Sequence, residues 1–218
     1  MKPVWRSMAP LSMLLLCAPF ASAQTSADFN FGFGTTHVKA NALGIDTNTG
    51  GSCTPAAGST CDSLPGLGGF FLGIGGDVMV TKRFGVGGEV NLQPAKGAYG
   101  PLDYRQTFYD FNGIFVPLSE KRVSLQLQGG VGGARTGFTV SQTSCVGASI
   151  CTSQTVPVAN NSHFQVHVGA GVSFFVTEHV FIRPQFDLHY VPGLTDVFGS
   201  NIVPEGTVWL GYSFGSRN

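Results

Sequence analysis

The stretch HFQVHVGAGVSFFVTEHVFIRPQFDLHY, His163 to Tyr190, decides how the chain is read. In its first half Phe164, Val166, Val168, Ala170, Val172, Phe174 and Val176 share one parity. His163, Gln165, His167, Gly169, Gly171 and Ser173 share the other. After the polar turn Thr177-Glu178-His179 the alternation resumes, with Val180, Ile182, Pro184, Phe186, Leu188 and Tyr190 set against Arg183, Gln185, Asp187 and His189. Strand side chains point alternately to opposite faces, so the stretch is a β-hairpin with one apolar and one polar face. The question it poses is which face meets water.

The same period of two recurs on either side. Strand one, Ala27 to about Lys39, sets Phe29, Phe31 and Phe33 against Asn30, Gly32 and Gly34. Strand two, Leu67 to Val80, sets Phe70, Leu72, Ile74 and Val78 against Gly73, Gly75 and Asp77. Strand three alternates Phe84, Val86, Val90 and Leu92 with Gly85, Gly87, Glu89 and Asn91. Strand four, Asp103 to Pro117, is less regular. Strand five runs from Val123 toward Val140, and strand eight sets Val208, Leu210, Tyr212 and Phe214 against Thr207, Trp209, Gly211 and Ser213. Loop-forming composition fills 41–66, 94–102, 141–160 and 191–204, while three tight turns lie at Thr81–Arg83, Ser119–Arg122 and Thr177–His179. Eight strands joined by connections that alternate long and short form an up-and-down meander with all long loops at one end.

Composition restricts the alternatives. The 218 residues are 43% hydrophobic and only 11% charged with no net charge, which excludes an electrostatic nucleic-acid binder; the 31 glycines favour a turn-rich all-β fold. Residues 1–23 have the form of a secretory signal peptide: Lys2 and Arg6, an apolar centre from Leu11 to Phe20, and Ala21-Ser22-Ala23 before Gln24. The expected mature barrel domain is 24–218, exported through the Sec pathway and left slightly acidic by loss of Lys2 and Arg6. Cys17 follows Leu14-Leu15-Leu16, a context that disfavours lipoprotein processing. Past residue 23 no apolar run reaches the ~20 residues of a spanning helix, but a closed β-barrel satisfies its backbone groups equally well.

A soluble eight-stranded barrel would bury its apolar face inside, yet an eight-strand interior has little room. The apolar faces here are too large for it, while the polar parity is rich in glycine. Apolar out and polar in is therefore the expected arrangement. Phe29, Phe84, Tyr212 and Phe214 would form an aromatic girdle at the turn end, and Tyr109, Phe138 and Tyr190 one at the loop end.

With these patterns in view, the chain resembles the small eight-stranded outer-membrane barrels, the OmpA-like, OmpX-like and opacity-type families. The resemblance is most specific at Thr207-Val208-Trp209-Leu210-Gly211-Tyr212-Ser213-Phe214, which is similar to the assembly signal of such barrels, with Tyr212 and Phe214 as its aromatic anchors. Two departures are Trp209 where glycine is usual and the tail Gly215–Asn218 after the last aromatic. The resemblance implies an all-β, eight-stranded antiparallel up-and-down transmembrane barrel with four long extracellular loops and three short periplasmic turns. It further implies a bacterial outer-membrane location, contact with outer-membrane lipids and lipopolysaccharide, and handling by periplasmic chaperones and the barrel assembly machinery. No peptidoglycan-binding domain is expected after the barrel, and the chain is expected to be monomeric.

Four cysteines fall in the predicted outer loops, an oxidising setting. They allow three pairings, of which sequence proximity favours Cys53–Cys61 and Cys145–Cys151. Their spacings are not those of zinc ligand pairs. Asp77, Glu89, Asp110, Arg183 and Asp187, with Glu205, have inward parity and suggest an ion-pair network with Arg183 as its hub. His163, His167 and His189 also point inward, and a register symmetric about Glu178 sets His167 opposite His189 and Gly169 opposite Asp187. Such a cluster can bind metal or sense pH, but polar filling of the lumen is the expected role, with no metal and no cofactor. Lys39, Arg105 and Arg135 lie outward near the loop end, where lipopolysaccharide phosphates or plain snorkelling would account for them.

An enzyme is the competing class. Lipid A deacylases of similar fold carry H-x-S, whereas the contexts here are HVKA, HFQV, HVGA, HVFI and HYVP; the glycine runs GIGG and GVGG lie in strands and lack a nucleotide-loop pattern. The expectation is a non-enzymatic membrane anchor whose disulfide-stiffened surface loops serve adhesion or interaction, with a narrow pore or a lipid A-modifying enzyme as alternatives.

Overall fold

The computed structural model describes residues 26–38, 45–46, 61–62, 66–99, 102–146 and 150–215. Residues 1–23, Lys39, Cys53 and the last three residues lie outside that set. Eight long strands run β1 (Ala27–His37), β2 (Gly68–Met79), β3 (Phe84–Leu92), β4 (Leu102–Ser119), β5 (Val123–Val146), β6 (Ile150–Phe175), β7 (Val180–Tyr190) and β8 (Ile202–Phe214). Each pairs antiparallel with its neighbours in sequence, and β1 pairs with both β2 and β8, so the sheet closes on itself. Closure leaves no unpaired edge along the staves, which is what a sheet in hydrocarbon requires.

The alternation read from the sequence is the inside–outside partition of the barrel. On β7 the odd-numbered residues from Phe181 to His189 are buried, while Ile182, Phe186, Leu188 and Tyr190 are exposed. The hairpin register sets His189 opposite His167 and Asp187 opposite Gly169. Outward apolar residues cover every strand; Phe111 is 73% exposed and Val168 62%. At the turn end Phe84 stacks on Phe115 at 5.0 Å, and Tyr212 lies 4.7 Å from Phe214, all on the outside.

The turns are set by threonine. Thr81 Oγ1 accepts the Phe84 amide at 3.0 Å, and Thr177 Oγ1 accepts the Val180 amide at 2.9 Å, so two of the three tight connections share one side-chain-to-backbone device. Prolines mark the irregularities. The β4–β5 register shifts between Phe115 and Leu118, around Pro117, and the β5–β6 register shifts where Thr139 meets Pro157. A residue without an N–H cannot complete the ladder, so the strand bulges there.

Two expectations need correction. Residues 141–160, expected as an irregular loop, are a β-ladder: β5 and β6 stay paired from Ser141↔Thr155 to Val146↔Ile150. The Ser/Thr/Val run that resembles loop composition also suits cross-strand pairing. Phe138, expected in the outer girdle, is buried inside and lies 5.1 Å from Tyr99, because the alternation through Gly132, Ala134 and Thr136 carries it inward.

Candidate functional site

The lumen is filled in successive layers. Nearest the turns, Met79, Ile114 and Val116 form a small apolar cluster. Above it Arg183 lies across the barrel; its Nη1 donates to Asp77 Oδ2 at 3.0 Å and to Gln126 Oε1 at 2.7 Å. Asn30 also donates to Asp77, at 3.2 Å. Trp209 sits beside this layer, 1% exposed. It fits because β1 and β2 present Gly32 and Gly73 beneath it: a Cβ on Gly32 would lie 2.6 Å from the indole ring. The tryptophan that departs from the usual assembly signal is thus matched by a glycine on the neighbouring strand and another on the strand beyond it.

The middle layer gathers the histidines and most of the carboxylates. His167 Nδ1 lies 3.1 Å from Asp110 and its Nε2 3.9 Å from Glu89. His189 Nε2 lies 3.2 Å from Glu205. The two rings are 5.2 Å apart, and His189 also stacks on Phe108 at 5.1 Å. Gln128 bridges Glu89 and Asp187 at 3.3 and 3.0 Å, and Gln165 donates to Asp110 at 2.6 Å. Threonine and glutamine complete the layer, with Thr207 donating to Glu205 and Gln185 to Asp187.

The five residues expected to form one network around Arg183 are therefore divided. Arg183 engages Asp77 alone, whereas Glu89, Asp110 and Asp187 surround the histidines. One guanidinium reaches only one layer of a barrel several residues tall. His163 stands apart from His167 and His189, its ring against Gly193, whose φ of +84° is open to glycine.

The loop end is closed by apolar packing. Phe71, Phe108, Tyr104, Tyr99 and Phe138 meet Val191, Leu194 and Phe198 from the last long connection, which carries a short helix, α1 (Thr195–Phe198), and Val203 from the start of β8. Tyr99 O–H donates to the Val197 carbonyl at 2.9 Å, and burial pushes its phenol above the usual range. This lid was missed in the sequence, although Phe71 and Phe108 carried a signal: each is a large aromatic on the inward parity. Outside the same end, Lys96, Arg105 and Arg135 line a cleft with Thr155 and Asn160 of β6.

Polar lumen, apolar lipid belt and closed eight-strand ring agree with a comparison at the level of sequence: residues 11–203 match the profile of the outer membrane protein beta-barrel domain. The chain belongs to that family. It is a bacterial outer-membrane protein, and its three tight turns are the periplasmic end of the barrel. No curated protein matches the sequence. Among solved structures the barrel is similar to the outer membrane protein OprG of Pseudomonas aeruginosa, with 14% identity over 90% of this chain and 99% of that one and a TM-score of 0.51. It is also similar to Ail, the attachment invasion locus protein of Yersinia pestis, in complex with the heparin analogue sucrose octasulfate, with 15% identity over 88% and 99% and a TM-score of 0.50. At such identities the likeness is one of fold.

Beyond the barrel mouth, β5 and β6 continue as a two-stranded arm. β6 leaves β7 at Val166 and β5 leaves β4 at Thr139, so the ladder is two-stranded from Val140↔Val156 to Val146↔Ile150, roughly 20 Å along the strand at the usual rise. Cys145 and Cys151 are paired through their backbones near the tip of the arm, and Cys61 pairs through its backbone with Asp46 in a separate two-residue ladder.

Proposed function

We propose that this outer-membrane barrel is a non-enzymatic anchor that holds a surface arm for adhesion or molecular interaction. The observation that carries the reading is the β5–β6 arm, which extends past every other strand while the lumen below it is filled with side chains. An isolated hairpin is marginal in water, and two features favour a stiff arm here. Its ladder grows directly out of two barrel staves, and the opposed positions of Cys145 and Cys151 suit a cross-strand disulfide. Exposed Val156 and Val158 on β6 offer apolar contact surface. The packed lumen weighs for an anchor over a pore.

The partners follow from placement. Arg105, Arg135 and Lys96 form a cationic cleft suited to the phosphates of lipopolysaccharide, with one of the three charges shared by the Lys96–Asp103 pair at 3.2 Å. Tyr212 and Phe214 face outward on β8, open to the assembly machinery before the barrel closes. The reading is tested by replacing residues 141–160 with an Asn-Gly turn in cells that display the protein. Attachment of those cells to epithelial monolayers should fall to the level of cells lacking the protein, while the shortened barrel keeps its heat-modifiable gel migration. Unchanged attachment by a correctly folded deletion would reject the arm as the functional surface.

A further inference from the structure

We infer that the middle of the lumen is a metal site in which Asp110, His167 and His189 ligate one divalent ion of the zinc class. Donor atoms from these three residues lie within 4.8 Å of one another. Two donors of a tetrahedral zinc ion stand about 3.3 Å apart when the bonds are about 2.0–2.1 Å. The 3.1 Å between His167 Nδ1 and Asp110 Oδ1 already matches that spacing, and the third donor needs to close by about 1.5 Å or less. Two imidazoles with a carboxylate select zinc, nickel or copper over calcium and magnesium, which prefer all-oxygen cages.

Two further observations point to a ligand. Asp110 Oδ2 is buried without a hydrogen-bond partner, as is Gln165 Oε1 nearby. Buried polar atoms of this kind normally find a partner. The charges are also lopsided: Asp77, Glu89, Asp110, Asp187 and Glu205 are all buried in the lumen, and Arg183, the sole lysine or arginine buried among the described residues, serves Asp77. A cation placed between the histidines and Asp110 supplies the missing positive charge where it is needed. The surroundings fit a ligand shell, since Glu205 contacts the His189 ring and Gln165 holds Asp110 Oδ1; such carboxylate–histidine contacts fix ring orientation at metal sites. Glu89 and Asp187 flank His167 from the other side. Because the aromatic lid closes the loop end, the ion enters as the barrel folds and leaves slowly afterwards.

The test uses the untagged mature chain refolded in detergent with Zn2+ or Co2+, then passed over a sizing column with a chelator. Wild type should retain about one metal per chain by mass spectrometry, and the Co2+ form should show weak visible bands without an intense thiolate charge-transfer band. His189→Gln and Asp110→Asn should lose retention, Glu205→Gln should weaken it by about 10–100-fold, and His163→Gln should match wild type. Heat-modifiable migration identifies which variants have folded, and wild-type retention is read independently of all of them. The proposal is overturned if wild type retains no metal, in which case protons alone balance the layer. Equal retention by a folded His189→Gln chain, or a thiolate band assigning the ion to cysteine, would overturn it as well.

Discussion

Replacing Arg183 with alanine removes the one guanidinium that crosses the lower lumen, and its cost can be worked from the contacts. The side chains of Arg183 and Asp77 are 2% and 8% exposed, so the substitution leaves a buried carboxylate without its cation. Breaking a buried pair on one side costs about 3–5 kcal/mol. Asn30 continues to donate to Asp77 at 3.2 Å, which favours the lower end, about 3 kcal/mol. In an Asp77→Asn background no charge is stranded, and the same Arg183→Ala change should cost about 1 kcal/mol, the worth of the remaining bond to Gln126. The coupling between the two sites is then about 2 kcal/mol. Urea unfolding in phospholipid vesicles measures each corner of the cycle. The chain has two tryptophans, and without the expected signal peptide Trp209 alone remains, beside the mutated layer, as the fluorescent reporter. An unchanged midpoint for Arg183→Ala, or a coupling near zero, would refute the view that this pair holds the lower lumen.

Two other substitutions probe the two faces of the wall. Phe186→Arg places a charge in the middle of β7 on the outward side, where the phenylalanine is 57% exposed; the expected cost is about 2–4 kcal/mol in vesicles, and a variant as stable as wild type would mean that this face does not meet the bilayer midplane. Gly32→Val drives a side chain into the Trp209 ring and should destabilise by about 1–3 kcal/mol. Adding Trp209→Ala should relieve part of that strain, so strictly additive unfolding penalties would rule out the proposed fit of glycine to indole.

Much of the fold was legible because a period of two is a local property. Alternation from Phe181 to His189 reports side-chain direction without knowledge of any partner strand, and symmetry about Glu178 was enough to pair His167 with His189. What escaped was cooperative. The arm at 141–160 is rich in Ser, Thr and Val, residues that serve loops and ladders alike, and only pairing with the opposite stave makes them strand. The division of the lumen charges depends on height within the barrel, which the register between distant strands sets; nothing local to Arg183 says that Asp77 is level with it and Asp110 is not. The aromatic lid brings Phe71 and Phe108 together with Phe198 across the mouth, a meeting that no single segment announces.

The lumen is closed twice, by the Arg183 layer below and the aromatic lid above. Planar-bilayer recording of the refolded wild-type chain tests this most directly. Insertion without stepwise current is the predicted result, and regular, reproducible channel openings by the wild-type protein would contradict it.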